Sequence, residues 1–177
     1  MQTVKMVITG PFSSGKTEFI RSISEIEVVS TERGISQDTA EAKEKEATTV
    51  AMDFGRITVD DDLVLYLFGT PGQRRFDFMW EILAEGMLGF IVMVDSTKPE
   101  TFREAKQILE TFRAYAPTPY VVAANKQDLP DAWAPEDLRI ALRIDPDVKL
   151  LPCVAQQRES VRDVLLELLY TILEDME

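Results

Sequence analysis

The stretch "GPFSSGKT", residues 10–17, decides the fold because it joins an apolar run to a helical pattern. It matches G-x-x-x-x-G-K-T, the glycine-rich turn between a strand and a helix that cradles phosphate. The glycines let the backbone close around an anion, and the new helix adds the positive end of its dipole. The residues that would surround the phosphates are Gly10, Ser13, Ser14, Gly15, Lys16 and Thr17.

Two side chains of this loop carry the expected chemistry. Lys16 can reach the β- and γ-phosphates of a nucleotide, and the Thr17 hydroxyl can bind Mg²⁺. The motif alone does not choose between ATP and GTP, so both nucleotides stay open at this point.

A second motif, "NKQD" at residues 125–128, favours guanine. It follows the apolar run 119–124, and parallel strands bring their carboxyl ends to one edge, beside the phosphate loop. The Asp128 carboxylate can accept hydrogen bonds from the ring N–H and exocyclic amine of guanine, which adenine does not present together. Asn125 can tie the loop to the base, and the stem of Lys126 can lie over the ring. A P-loop ATPase or kinase would leave this motif unexplained.

Short apolar runs alternate with helical patterns along the whole chain. This alternation predicts βαβ units and a mainly parallel sheet, covered on both faces by helices. The acidic turn at 60–62 predicts an antiparallel hairpin. We therefore expect one domain over residues 1–177, a three-layer α/β P-loop fold with a mixed sheet of six strands, five of them parallel. The predicted strands are 4–9, 48–59, 63–68, 88–95, 119–125 and 148–153.

Composition excludes several functions. The net charge of −12 over 177 residues argues against a broad basic face for nucleic acid and against an electrostatic membrane anchor. The chain contains no histidine, which removes catalytic triads and histidine-bound metals, and the single Cys153 is expected to be buried and unreactive. Gln2 rules out N-myristoylation, and no signal peptide, prenylation box or membrane span is apparent, so we expect a cytoplasmic protein.

These motifs resemble those of Ras-like small GTPases over essentially the whole length. "GPFSSGKT" resembles the phosphate loop, "TTVAMDF" (48–54) the end of switch I, "GTPGQRRF" (69–76) switch II, and "CVAQ" (153–156) the last guanine loop. In detail the chain is most similar to prokaryotic GTPases of the MglA type, whose partners are often small Roadblock-domain proteins. The resemblance implies a switch that binds GTP or GDP with Mg²⁺ and slowly hydrolyses GTP, regulated by a Roadblock-type partner.

The resemblance also assigns roles to four residues. Thr49 matches the Mg²⁺ ligand that senses the γ-phosphate, and the Gly72 N–H would meet the same phosphate. Gln73 matches the residue that orients the attacking water, and the Ala155 N–H would meet the base oxygen. The polar segment 27–48 would then be a ligand-gated loop.

Two positions depart from the family pattern. Switch II usually carries an acid in the outer shell of Mg²⁺ where this chain has Gly69. We expect weaker Mg²⁺ retention as a result. Phe12 either crowds the space for a partner's arginine or covers the loop as a hydrophobic lid.

An arginine near the γ-phosphate accelerates hydrolysis, and the candidates in this chain are Arg33, Arg74 and Arg75, or an arginine of a partner. Two functions from different classes follow. The chain is either a GTP-hydrolysing switch or a GTP-binding scaffold that no longer hydrolyses. Gln73 and Thr49 favour the switch, whereas Gly69 and Phe12 favour the scaffold.

Overall fold

The computed structural model describes residues 1–30, 52–73 and 76–177. Strands and helices alternate along these residues, as predicted. The strands are β1 (Gln2–Thr9), β2 (Val29–Ser30), β3 (Asp53–Asp60), β4 (Leu63–Gly69), β5 (Gly89–Asp95), β6 (Tyr120–Asn125) and β7 (Leu150–Pro152). The α-helices are α1 (Lys16–Ile23), α2 (Phe78–Ala84), α3 (Phe102–Tyr115), α4 (Pro135–Ala141) and α5 (Arg158–Asp175).

The strands form one mixed sheet in the order β2-β3-β4-β1-β5-β6-β7. β1 lies parallel to β4 and β5, and β6 lies parallel to β5 and β7. β3 is antiparallel to β4, which confirms the hairpin at 60–62 and the five parallel strands. The sheet also contains the two-residue strand β2 at its edge, which is too short to show a period in the sequence.

Side chains alternate between two apolar layers, one on each face of the sheet. Met6 and Ile8 of β1 pack with α1 and α5, whereas Val7 between them packs with α2, α3 and α4. Helical spacing in the sequence predicts one apolar face on each of the two long helices, and every residue of these faces is buried. These residues are Phe102, Ala105, Ile108, Leu109 and Phe112 in α3, and Val161, Val164, Leu165, Leu168 and Ile172 in α5.

Two helices differ from the bounds that the sequence predicts, which are a start at Pro99 for one and a span from Thr17 to Ile26 for the other. Pro99 begins a 3₁₀ turn, Pro99–Thr101, and the α-helix starts only at Phe102. Tight turns of this kind are frequent at helix starts. α1 ends at Ile23 rather than continuing to Ile26 because Ser24 adopts an extended backbone. Neither difference moves the carboxyl ends of the strands.

Within the described residues, no helix combines the length and apolar character that crossing a membrane requires. The carboxyl ends of β1, β5 and β6 lie side by side at Thr9, Asp95 and Asn125. Open parallel sheets bind ligands outside this edge, so the fold brings the loops that follow these strands together.

Cys153 follows β7 and is buried, as the sequence predicted. Burial raises the pKa of its thiol to about 11, although a hydrogen bond with Ser160 opposes the shift. Because only the thiolate attacks disulfide reagents, we expect native protein to react with Ellman's reagent near pH 8 at least roughly 100-fold more slowly than protein unfolded in guanidinium chloride. Similar rates for native and unfolded protein would contradict this placement, and a Cys153→Ser variant supplies the blank.

Candidate nucleotide site

The phosphate loop lies between β1 and α1 and has the backbone that its glycines allow. Gly15, the N-cap of α1, has φ +107°, and its missing side chain leaves room for the Asn125 amide, which would lie 2.1 Å from a β-carbon there. Lys16 is buried and donates from Nζ to the carbonyl oxygens of Gly10 at 2.7 Å and Pro11 at 2.8 Å. The ammonium group therefore lies across the loop, on the side where an anion would bind.

The Thr17 side chain contacts strand β3. Its hydroxyl donates to the Asp53 Oδ2 at 2.6 Å, and Asp53 is only 3% exposed at the start of β3. The other carboxylate oxygen, Oδ1, has no hydrogen-bond partner among the described residues. Hydroxyl and carboxylate oxygens are the ligands that Mg²⁺ prefers, so these two residues fit the ion that the loop implies.

In the ranges that the structure describes, no group of three or more acidic or cysteine side chains converges on one point. Mg²⁺ at Thr17 would draw further oxygen ligands from the nucleotide and from water, as is usual for this ion.

The start of switch II packs against the phosphate loop. A β-carbon on Gly72 would lie 2.6 Å from the Phe12 Cα and 2.9 Å from the Lys16 Nζ, so only glycine allows this approach. Trp80 of α2 donates from its indole Nε1 to the Pro71 carbonyl at 2.9 Å. The carbonyl and N–H of a trans peptide point in opposite directions. The Gly72 N–H therefore points away from the indole.

Other predicted residues of this end lie outside or at the margin of the described structure. Gln73 directly follows Gly72 and is half-buried, and Phe12, whose backbone approaches Gly72, is 53% exposed. Thr49, Arg33, Arg74 and Arg75 lie outside the described residues, as does most of the predicted loop 27–48.

Asn125 joins the base loop to the phosphate loop. Its amide Nδ2 donates to the Ser14 carbonyl at 2.9 Å, and its Oδ1 accepts from the Ala155 N–H at 2.9 Å. The side chain is 2% exposed. One carboxamide thus holds three segments of distant sequence in fixed positions. The Ala155 N–H, which the resemblance assigns to a base oxygen, is used by this contact.

Lys126 connects the same two loops from the outer side. Its Nζ lies 2.7 Å from the Asp95 Oδ2 and 3.4 Å from the Ser13 carbonyl. Burial disfavours the charged form of Asp95, but hydrogen bonds from Lys126 and Thr97 outweigh it and hold the Asp95 pKa below its ordinary value. The lysine stem is therefore held between the two loops by a charged anchor at the end of β5.

Two adjoining cavities form a groove along these loops. One, of about 330 Å³, lies against the phosphate loop and is lined by Phe12, Ser13, Gly15, Lys16, Thr17, Glu18 and Lys126. The other, of about 200 Å³, is lined by Gly15, Glu18, Asn125, Lys126, Asp128, Leu129, Val154, Ala155 and Gln156. Three residues line both cavities: Gly15, Glu18 and Lys126. Asp128 is exposed to solvent at the second cavity.

The groove can hold an anion at one end and a flat polar ring at the other. The structure brings Lys16, Thr17 and Gly72 to the anion end, and Asn125, Lys126 and Asp128 to the ring end. Sequence reasoning missed three residues, Asp53, Asp95 and Trp80. Asp95 left a signal, an acid that ends a buried apolar strand, and Asp53 left a weaker one, an acid next to a hairpin strand.

Comparisons with known proteins agree with this geometry. A family model described as "Conserved hypothetical ATP binding protein" matches residues 8–175. An uncharacterized protein of Methanocaldococcus jannaschii is 30% identical over 128 residues, which is 72% of this chain and 73% of that protein.

Eukaryotic small GTPases are also similar to the chain. Human ADP-ribosylation factor-related protein 1 is 28% identical over 139 residues, which is 77% of this chain and 65% of that protein. A Ras-related protein of Saccharomyces cerevisiae is 27% identical over 135 residues, which is 73% of this chain and 63% of that protein. With a P-loop fold, a nucleotide-sized groove and a match that covers nearly its whole length, the chain belongs to the family of conserved hypothetical ATP-binding proteins and is a relative of the Ras-like small GTPases.

Proposed function

We propose that the protein is a guanine-nucleotide-binding switch, which binds GTP and GDP with Mg²⁺ and slowly hydrolyses GTP. The observation that carries this proposal is the groove that two adjoining cavities form. Asp128 lines one cavity, the phosphate loop lines the other, and three residues line both. A nucleotide whose phosphates lie on Lys16 brings its base to the cavity that Asp128 lines.

Guanine suits this cavity better than adenine, although the family description names ATP. A carboxylate is an acceptor only, so Asp128 complements two adjacent donors on a ring edge. Guanine presents an N–H and an amine there, whereas adenine presents an unprotonated ring nitrogen. Adenine would leave the carboxylate without a partner on that edge. A site built to bind particular hydrogen-bonding groups strongly rejects an analogue that lacks them. Because Asn125 uses the Ala155 N–H, the next backbone N–H, that of Gln156, is the donor we propose for the guanine oxygen.

The phosphate end supports a hydrolytic switch. In this proposal Lys16 stabilises negative charge on the phosphate oxygens, and Gln73, which directly follows Gly72, orients the attacking water. Thr17, and Thr49 outside the described residues, would hold Mg²⁺, which supplies charge stabilisation between the phosphates. Loss of the γ-phosphate removes the partner of the Gly72 N–H, so switch II relaxes and its affinity for a partner changes.

The remaining features of the proposal come from the resemblance. A low intrinsic rate, an MglA-type subfamily, a Roadblock-domain regulator and a cytoplasmic location all stay predictions. Exposed apolar side chains near switch II, Phe12 at 53%, Phe78 at 56% and Ile82 at 54%, offer a surface to such a partner.

A second function, a GTP-binding scaffold without hydrolysis, is favoured by one observation. Phe12 lines the phosphate cavity and its backbone lies close to Gly72, so its exposed side chain would crowd an arginine that entered there. The two functions share the binding site and differ only in turnover.

Asp128→Asn tests the guanine assignment. Asparagine offers one donor and one acceptor, which complements the N–H and C2 carbonyl of xanthine rather than the two donors of guanine. We expect the variant to bind GDP about 100-fold more weakly and to bind xanthosine diphosphate more tightly than the wild type does. Titration calorimetry with both nucleotides measures the exchange.

Asp131→Asn, a nearby exposed acid that does not line the cavity, is the matched control and should bind GDP as the wild type does. An Asp128→Asn protein that keeps its affinity for GDP would contradict the assignment.

Gln73→Leu separates the switch from the scaffold. If Gln73 orients the attacking water, the variant should hydrolyse bound GTP at least roughly tenfold more slowly than the wild type, with its affinity for GTP nearly unchanged. Single-turnover release of labelled phosphate measures the rate. Gln107→Leu, on the exposed face of α3, is the control. Wild type and Gln73→Leu that both fail to hydrolyse GTP faster than it hydrolyses free in solution would favour the scaffold.

A further inference from the structure

We propose that Asp53 supplies the carboxylate of the magnesium site that Gly69 lacks. The acid that the family pattern places at position 69 of β4 stands here on the neighbouring strand β3. The inference rests on the proposed nucleotide function, and it concerns only the phosphate end of the groove. It replaces the expectation of weaker Mg²⁺ retention, which was drawn from Gly69 alone.

Strand pairing brings the two positions together. Asp53 and Gly69 are directly opposite each other in the antiparallel pair of β3 and β4. A β-carbon on Gly69 would lie 3.1 Å from the Asp53 Cβ and 3.3 Å from its Oδ2. The carboxylate of Asp53 therefore lies beside the place that a side chain at position 69 would enter.

The hydrogen bonding of Asp53 points to a cation. Its Oδ2 accepts the Thr17 hydroxyl proton at 2.6 Å, which leaves the lone pairs of the hydroxyl oxygen for a metal ion. Its Oδ1 is buried and has no partner among the described residues. A carboxylate removed from water is costly unless a charge or hydrogen bonds compensate it, and Thr17 compensates only one oxygen. Oδ1 is the atom left for the ion and its water.

The same contacts explain why position 69 is glycine. A second side chain there would be tighter against Asp53 than ordinary contacts allow, and an aspartate would place two negative charges side by side. Only one of the two opposed positions can carry the acid. Positions 53 and 69 therefore share one acid, which can stand at either position.

The test measures the release of fluorescently labelled GDP as free Mg²⁺ is varied, with excess unlabelled GDP present. We expect chelation of Mg²⁺ to accelerate release from the wild type by at least roughly tenfold, since it removes the positive charge that holds the phosphates. Loss of an outer-shell partner typically weakens metal binding by 10- to 100-fold. Asp53→Asn keeps the size of the side chain and an acceptor for Thr17. It should release GDP in millimolar Mg²⁺ nearly as fast as it does in chelator.

Two further variants sharpen the result. Asp60→Asn removes an exposed acid from the other end of β3 and should behave as the wild type does. The exchange variant Asp53→Gly with Gly69→Asp should regain at least roughly tenfold Mg²⁺ dependence over Asp53→Gly alone, because the acid returns to the site from the opposite strand. The exchange variant also carries the test if Asp53→Asn does not fold.

Wild-type Mg²⁺ dependence in Asp53→Asn would overturn the inference, and so would slower release from Gly69→Asp alone, which would show that the site lacks an acid. A wild type that binds GDP but ignores Mg²⁺ also overturns it and leaves guanine binding intact. If labelled ADP binds and GDP does not, the guanine assignment fails, and the same Mg²⁺ series with ADP decides the role of Asp53.

Discussion

The site depends on one carboxamide, that of Asn125, which holds three loops together. It donates to the Ser14 carbonyl of the phosphate loop and accepts from the Ala155 N–H of the last loop, while its own backbone ends β6. Gly15 leaves the space for this contact, since any side chain there would collide with the amide. A buried amide that loses either partner leaves an unpaired backbone group, which costs about 1–3 kcal/mol. The distance between the phosphate end and the ring end of the groove is therefore set before a nucleotide binds.

The rest of the site extends from this fixed point in two directions. Toward the ring, Lys126 is anchored on Asp95 and Asp128 is left exposed to meet a ligand. Toward the phosphates, Lys16 donates to carbonyl oxygens of the loop, and Thr17 donates to the Asp53 carboxylate. Trp80 holds the peptide that precedes the Gly72 N–H. Each end uses a buried acid that contacts a residue of a motif. The motifs supply the groups that face the nucleotide, and the acids orient them.

Sequence reasoning found the motifs because their chemistry lies in neighbouring residues. The phosphate loop is local, since a strand, eight residues and a helix start are enough to define it. The sheet order follows from alternating runs and the acidic turn at 60–62. Asp53 and Asp95 were missed because their partners, Thr17 and Lys126, are distant in sequence. Trp80 was missed because its partner, the Pro71 carbonyl, approaches it only through packing. In particular, the sequence shows that position 69 lacks the acid, whereas the strand register shows that Asp53 lies directly opposite it.

The central claim is that one groove reads phosphates and a guanine ring together. Competition between GDP and ADP for wild-type protein freed of nucleotide, each displacing a labelled GDP, tests it most directly. The account predicts that GDP displaces the label at a concentration at least roughly 100-fold lower than the concentration of ADP required, because only guanine satisfies the Asp128 carboxylate. Equal potency of the two nucleotides, or tighter binding of ADP, would contradict it.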